Sequence, residues 1–305
     1  MEAEHQLFGV ARSARRRFQR TIRGDVLGNT RDSLRLPATT ATTDSVSRSV
    51  HIIAAAVDFL PGEAHFGSRW RERVARRFLS PGPKDELLDA GCGCGAITMA
   101  MARDVRRITG VDISEAAVRL AQRVAERRGI ANARFLAGDL TRLSSLVAEE
   151  SFDAAYCLDT LEHAEDFPRI LSEVRRALRP GGRFFLLVPA SEEHGHFQHD
   201  MGEVHGIAEA GGWSVRFLER LSPPRVTKTL HELYLKGRHS IAGREDGDVD
   251  VCHETRTFGF SASPPWYVRA WAAAFPLLWW TATLADREPY RRGGSHIASL
   301  LERAG

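Results

Sequence analysis

The stretch Glu86 to Ala102, ELLDAGCGCGAITMAMA, places the tightest constraint on the fold. An apolar run ends at Asp89-Ala90, three glycines alternate with two cysteines, and a helix-forming segment follows. Glycine permits positive φ and a close approach of backbone to ligand. A helix that starts straight after such a turn presents free N–H groups to an anionic ligand group. Strand, glycine turn and helix in this order open a parallel α/β sheet, whose ligands sit beyond the C-terminal strand ends.

The alternation continues downstream. Arg107 to Asp112 (RITGVD) reads as a strand ending in an acid. Ser114 is placed to cap a helix running to Arg128, where Gly129 supplies the stop. Its residues Val118, Ala121 and Ala125 share a face. Arg134 to Ala137 and Phe152 to Leu158 (FDAAYCL) are further strands. Phe167 to Leu178 reads as a helix stopped by Pro180-Gly181-Gly182, and Arg183 to Val188 (RFFLLV) as a fully apolar strand. Such a pattern predicts a mostly parallel, doubly wound sheet with helices on both faces.

Asp112 follows Gly91 by about 20 residues, at the end of the next strand, where a carboxylate takes both hydroxyls of a ribose. The spacing therefore points to a nucleoside-containing cofactor. Gly91 to Ala96 also satisfies G-x-G-x-x-A, which keeps a nicotinamide or flavin enzyme open as an alternative. Asp89 weighs against it: an acid before the loop suits a cationic amine and repels a pyrophosphate.

LLDAGCGCG, GVDIS, AGDL, DTLEH and LRPGGRFFLLVP, in this order and spacing, resemble the class I S-adenosylmethionine-dependent methyltransferases over about residues 80–220. The resemblance implies a Rossmann-like, seven-stranded sheet with one antiparallel strand at its end, and S-adenosyl-L-methionine as cofactor. It places Asp89, Gly91 and Gly93, with Cys92 and Gly95 in the same loop, around the methionine part. Asp112 is implied to hold the ribose, with Ile113 packing on the adenine. Gly138, Asp139 and Leu140 would border the adenine, and Leu158 and Asp159 the methyl-donor side. C-x-C is too tight for the usual redox pair, and no further cysteine stands near enough to complete a metal site, so Cys92 and Cys94 read as small loop residues.

Methyl transfer from a sulfonium requires alignment more than a fixed triad. General-base candidates are His163 in DTLEH, and His194, His196 and His199 in SEEHGHFQHD after the fifth strand. H-x-H-x-x-H also has metal-ligand character, but no predicted helix fixes its geometry, and no metal is expected.

The remaining chain is less regular. Residues 7–36 carry eight arginines against Asp25 and Asp32, and Leu7, Ala11, Ala14, Phe18 and Ile22 recur at helical spacing. This basic arm reads as a solvated tail or as a membrane-surface helix; an organelle transit peptide is a third reading, against which Glu2 and Glu4 count. Pro37 to Ser47 is a polar linker, so the expected divisions are an arm over 1–48, a cofactor-binding core over 49–220 and a C-terminal cap with the final strand over 221–305. Helical patterns cover roughly 49–59 and 67–79; a helix near Val204 to Ala210 precedes a strand over Trp213 to Glu219; residues 220–265 read as irregular; and His296 to Leu301 is the final strand. Ala270 to Ala285 lacks charge and holds Trp271, Phe275, Trp279 and Trp280, with Pro276 inside. Sixteen residues are short for a membrane span of about 20, so the segment reads as a lid, an interfacial element or a dimer surface.

A net charge of +3, with the basic excess on the arm, argues against a nucleic-acid partner. Four cysteines (Cys92, Cys94, Cys157, Cys252) do not make a secreted disulfide scaffold, and residues 1–30 lack a signal-peptide core, so a cytoplasmic location is expected. HELYLK at His231, PLLWW and RRGGSH loosely resemble methyltransferases of quinones, lipids or lipid-linked glycans. By that resemblance the expected activity is oxygen-directed methylation of a small or lipid-like acceptor, with peripheral membrane contact through the arm or the Trp-rich segment. A catalytically silent fold member that binds membranes or partners is the remaining alternative.

Overall fold

The computed structural model describes residues 66–164, 166–190, 200–242 and 266–304. The chain runs α1 (Phe66–Leu79), β1 (Glu86–Ala90), α2 (Ala96–Met101), β2 (Arg107–Asp112), α3 (Glu115–Arg127), β3 (Ala133–Ala137), β4 (Phe152–Leu158), α4 (Phe167–Ala177) and β5 (Leu178–Pro189). It continues through α5 (Met201–Ala210), β6 (Trp213–Ser222), α6 (Arg225–Ala242), α7 (Trp266–Ala285), β7 (Arg291–Arg292) and β8 (His296–Arg303).

One sheet holds all the strands, in the order β3-β2-β1-β4-β5-β8-β6-β7. β1 to β5 are parallel neighbours. β8 is antiparallel to both β5 and β6. The strand count is eight rather than seven, and the antiparallel β8 lies inside the sheet rather than at its end. The extra strand is the two-residue β7, which pairs with Leu221 and Ser222. Leu221 pairs with His296 of β8 on one side and with Arg292 of β7 on the other, so β7 adds to the outer edge of β6. Strand order reverses between β1 and β4, and the crevice beyond their C-terminal ends is the ligand position in such sheets.

The local rules explain most elements. Ser114 Oγ accepts from Ala117 N at the start of α3, and Val118, Ala121 and Ala125 are buried beneath it. Asp166 caps α4, with Pro168 in the first turn, and Asp200 caps α5. β5 alternates faces: Phe184, Leu186 and Val188 join the core under α4 and α5, while Phe185 and Leu187 join Trp70, Leu79 and Tyr156 on the other side.

Two expectations need correction. The α4 helix ends at Ala177, and Leu178 is already paired with Phe152; the register then shifts so that Ala154 faces Arg183. Pro180-Gly181-Gly182 therefore bulges from β5 instead of stopping the helix. Leu178 is fully buried, and that burial favours the extended pairing.

Residues 225–242, expected to be irregular, form α6. Its N-terminus is held by a residue about 60 positions away. Asp286 accepts from Val226 N (3.2 Å), Thr227 N (2.8 Å) and Thr227 Oγ1 (2.8 Å). This capping is tertiary, so no local signal announces it.

Phe66 at the start of α1 meets Phe275 edge-on at 5.0 Å, and its centroid lies 6.1 Å from that of Trp279, so α7 is fastened to α1 by aromatic contacts. Among the described residues, no helix is long and apolar enough to cross a membrane. The helical pattern at 49–59 lies outside the described residues.

Candidate active site

The glycine loop is tied to β2. Gly91 N and Cys92 N both donate to Val111 O, at 2.8 and 3.0 Å. Gly93 N donates to Asp112 Oδ2 (2.8 Å), and Ser114 N to Asp112 Oδ1 (2.9 Å). Asp112 thereby fixes the loop and the entry to α3 together, and each of its oxygens keeps a lone pair for a ligand.

Two glycines are required for different reasons. At Gly91 φ is +91°, and a Cβ would fall 2.3 Å from Thr160 Oγ1. At Gly93 φ is +51° and a Cβ would meet nothing within 4 Å, so this side of the loop is open to a ligand. Cys92 packs over Gly110, and Cys94 is buried in the cluster between α2 and α3. Among the described residues no group of three or more His, Cys, Asp or Glu is arranged to hold a metal ion.

Asp89, at the end of β1, is 4% exposed. Its Oδ2 accepts from Thr98 Oγ1 (2.6 Å) and Tyr156 OH (2.9 Å). Burial raises its pKa to about 7, against the lowering effect of those two hydrogen bonds. Oδ1 is left as the oxygen available to a ligand cation. Thr98 and Tyr156 were not singled out from the sequence. A tyrosine inside an apolar central strand is the available signal, since its buried hydroxyl requires a partner.

Ile113, next to Asp112, is 73% exposed, an apolar surface at the mouth of the crevice. Gly138 N donates to Asp112 O (2.9 Å), which joins the ends of β2 and β3. Asp139 Oδ1 accepts from Thr141 N (2.8 Å), and Leu140 is buried beside it. Gly91, Cys92, Gly93, Gly95, Asp112, Ile113, Gly138, Asp139 and Leu140 thus gather along the ends of β1, β2 and β3 and the segments that follow them.

Leu158 and Asp159 follow at the end of β4. Asp159 has φ +47°, and its N donates to Leu187 O (2.9 Å). Its Oδ2 lies 2.6 Å from Arg71 Nε and 3.6 Å from His296 Nε2. The Arg71 contact is close but off-axis, an ion pair rather than an aligned hydrogen bond. Burial alone would raise the Asp159 pKa, but Arg71 and then His296 outweigh it and hold it at about 2. Oδ1 is buried with no hydrogen-bond partner. Arg71 and His296 were not expected at the site; α1 and β8 bring them there across the fold, from positions far apart in the sequence.

His163 sits just after β4 with its side chain 45% exposed, Nε2 3.9 Å from Oε1 of the buried Glu162. His194, His196 and His199 lie outside the described residues. A cavity of about 400 Å³ lined by Arg69, Met99, Arg103, Arg128 and Asn132 opens against α2 and the turn before β3. None of the carboxylates described above lines it, so it is a separate hollow.

Residues 88–186 match the family model described as "Methyltransferase domain". The chain is 33% identical over 103 residues to a ubiquinone biosynthesis O-methyltransferase of Idiomarina loihiensis, covering 33% of this chain and 41% of that protein. It is 34% identical over 112 residues to a trans-aconitate 2-methyltransferase of Deinococcus radiodurans, covering 37% and 41%. The match thus spans about two fifths of the curated relatives' length.

Two solved structures share the fold. Phosphoethanolamine N-methyltransferase 2 of Haemonchus contortus, in complex with S-adenosyl-L-methionine, superposes with TM-score 0.54 at 16% identity, over 85% of this chain and 57% of that one. The [4+2]-cyclase SpnF superposes with TM-score 0.52 at 21% identity, over 78% and 81%. The nicotinamide or flavin alternative finds no support in these matches. With the family match, the strand order and the carboxylates at the ends of β1 and β2 in agreement, residues 88–186 are a methyltransferase domain of the class I S-adenosylmethionine-dependent family.

Proposed function

We propose that the protein transfers a methyl group from S-adenosylmethionine to an oxygen of a small or lipid-like acceptor, such as a phenol, a quinol or a lipid-linked hydroxyl. The observation that carries this reading is Asp112, pinned at both oxygens by Gly93 N and Ser114 N, beside open space at Gly93 and the exposed Ile113. Those residues fit the cofactor's nucleoside. Asp112 receives the ribose hydroxyls, Ile113 offers an apolar face to the adenine, and Asp139 accepts its amino group. Asp89 Oδ1 receives the ammonium of the methionine part, and Gly91, Cys92, Gly93 and Gly95 let the backbone lie close to it.

When bound, S-adenosylmethionine supplies a methyl group already activated on a sulfonium. The chain's task is then alignment, which contributes about 7–11 kcal/mol in well-oriented reactions. A general base adds about 10²–10⁴-fold when the acceptor is a hydroxyl. His163 is our candidate for that base among the described residues, and His194, His196 and His199, in the segment after β5, are the alternative. Asp159 is too firmly held as a carboxylate to take a proton near neutrality. We assign its Oδ1 to accept a hydrogen bond from the acceptor and so to position it.

The relative named as a ubiquinone biosynthesis O-methyltransferase supports oxygen as the methylated atom. The aromatic contacts joining α1 to α7 support an apolar acceptor. The test is transfer of labelled methyl from S-adenosylmethionine to a panel of phenols, quinols and prenylated hydroxyls, with amines and activated carbon acceptors alongside. The expected result is one methyl added to oxygen in at least one class, lost in Asp112→Ala. Label on nitrogen or carbon acceptors alone would replace the oxygen assignment.

A further inference from the structure

The cap helix α7 has two unlike sides. Phe275 and Ala282 are buried against the fold, with Phe275 packed on Phe66. Leu277 (64% exposed), Trp280 (58%) and Leu284 (61%) stand on the other side, at the spacing of one helical stripe. Nothing in the described chain covers them. On the antiparallel neighbour α6, Val226 and Leu233 are exposed seven residues apart.

Charge at one end of this stripe is mostly positive. Arg287 and Arg291 are exposed just beyond the helix. The Asp286 cap holds the start of α6 against the end of α7, and this brings the exposed Arg225 to the same end. Asp286 itself is buried under that cap, so Glu288 is the one exposed acid among these residues.

We propose that this face of α7 docks on an anionic lipid surface, with the helix lying in the interface plane. At 20 residues the helix is long enough to span, but it is not apolar enough to cross a bilayer. Leucines with a tryptophan, flanked by arginines, match the composition of a helix that rests at the headgroup boundary. A second copy of the chain is the poorer occupant. Three stripe side chains offer far less than the roughly 800 Å² per partner of a stable interface.

The docking is read from exposed side chains and does not depend on methyl transfer. It bears on that reading in one respect: α7 is fastened to Phe66, about one and a half turns along α1 from Arg71 at the Asp159 edge. The proposed acceptor side would then sit close to the bilayer.

The test is co-sedimentation of the full chain with vesicles of phosphatidylcholine alone, and of phosphatidylcholine with about one third phosphatidylglycerol. The expected result is binding to the anionic vesicles, reduced about tenfold or more in Leu277→Ser/Trp280→Ser, with thermal stability unchanged because both residues are exposed. Arg287→Gln/Arg291→Gln is expected to reduce the preference for anionic vesicles. Wild-type protein that stays in the supernatant overturns the proposal. So does equal sedimentation of the serine variant, which would move the contact to the basic arm, or a dimer that only the wild type forms.

Discussion

Asp89 and Tyr156 face each other in register across the β1–β4 pair, and the tyrosine hydroxyl donates a 2.9 Å hydrogen bond to Asp89 Oδ2. Both side chains are buried, so the pair governs whether Asp89 carries its charge. An acid with a pKa near 7 is half-protonated at neutral pH and must be ionised to receive an ammonium. Binding of S-adenosylmethionine near or below pH 7 is therefore expected to release a proton. Calorimetric titration in buffers of different ionisation enthalpy reads this directly. Tyr156→Phe removes one donor to the charged form, and is expected to move the pH midpoint of binding upward by about one unit.

The same residue sets a stability profile. The folded pKa of Asp89 is raised from 3.8 to about 7, so between those values the native state holds a proton that the unfolded chain has lost. Stability of the cofactor-free protein is expected to fall as pH rises from about 4 to about 7, by up to the order of 4 kcal/mol, and then to level off. Asp89→Asn should flatten that slope in urea unfolding across the pH series while abolishing cofactor binding. A slope unchanged in Asp89→Asn assigns the effect to another group.

Asp159 behaves in the opposite sense. Its folded pKa is lowered to about 2, so its contribution is present above pH 4 and is lost as pH falls from about 4 towards 2. Arg71→Leu leaves a mostly buried carboxylate without its main counter-charge, and is expected to cost about 2–4 kcal/mol at pH 7. Asp159→Asn removes that charge and should cost less in the Arg71→Leu background than alone. A double-mutant cycle by urea unfolding measures the coupling.

Gly91 and Gly93 are expected to respond differently to alanine. Gly93→Ala introduces a positive-φ alanine into open space, costing about 1 kcal/mol of stability. Its Cβ takes room proposed for the cofactor, so binding should weaken by much more than stability. Gly91→Ala adds a clash with Thr160 to the same strain, and thermal unfolding should show the larger stability loss there.

The elements that could be read from the sequence are those whose signals are local. RITGVD became β2 with the same ends, and Ser114 and Gly129 bracket α3 through their own hydrogen bonds and backbone geometry. The carboxylates Asp89 and Asp112 were legible because each ends a strand beside the glycine turn. What escaped depends on distant partners. α6 is capped by Asp286, Asp159 is held by Arg71 and His296, and Pro180-Gly181-Gly182 bulges because Leu178 pairs early with Phe152. The fold does not choose the reaction, as the likeness to a [4+2]-cyclase illustrates.

The most direct test of the central claim is calorimetric titration of the purified chain with S-adenosylmethionine and S-adenosylhomocysteine, with NADH as control, in wild type and Asp112→Ala. The account predicts binding of both sulfur nucleosides in the micromolar range, none of NADH, and loss in the variant while it stays folded by circular dichroism. A folded wild-type protein that binds neither nucleoside, or a variant that binds as well as wild type, would contradict it.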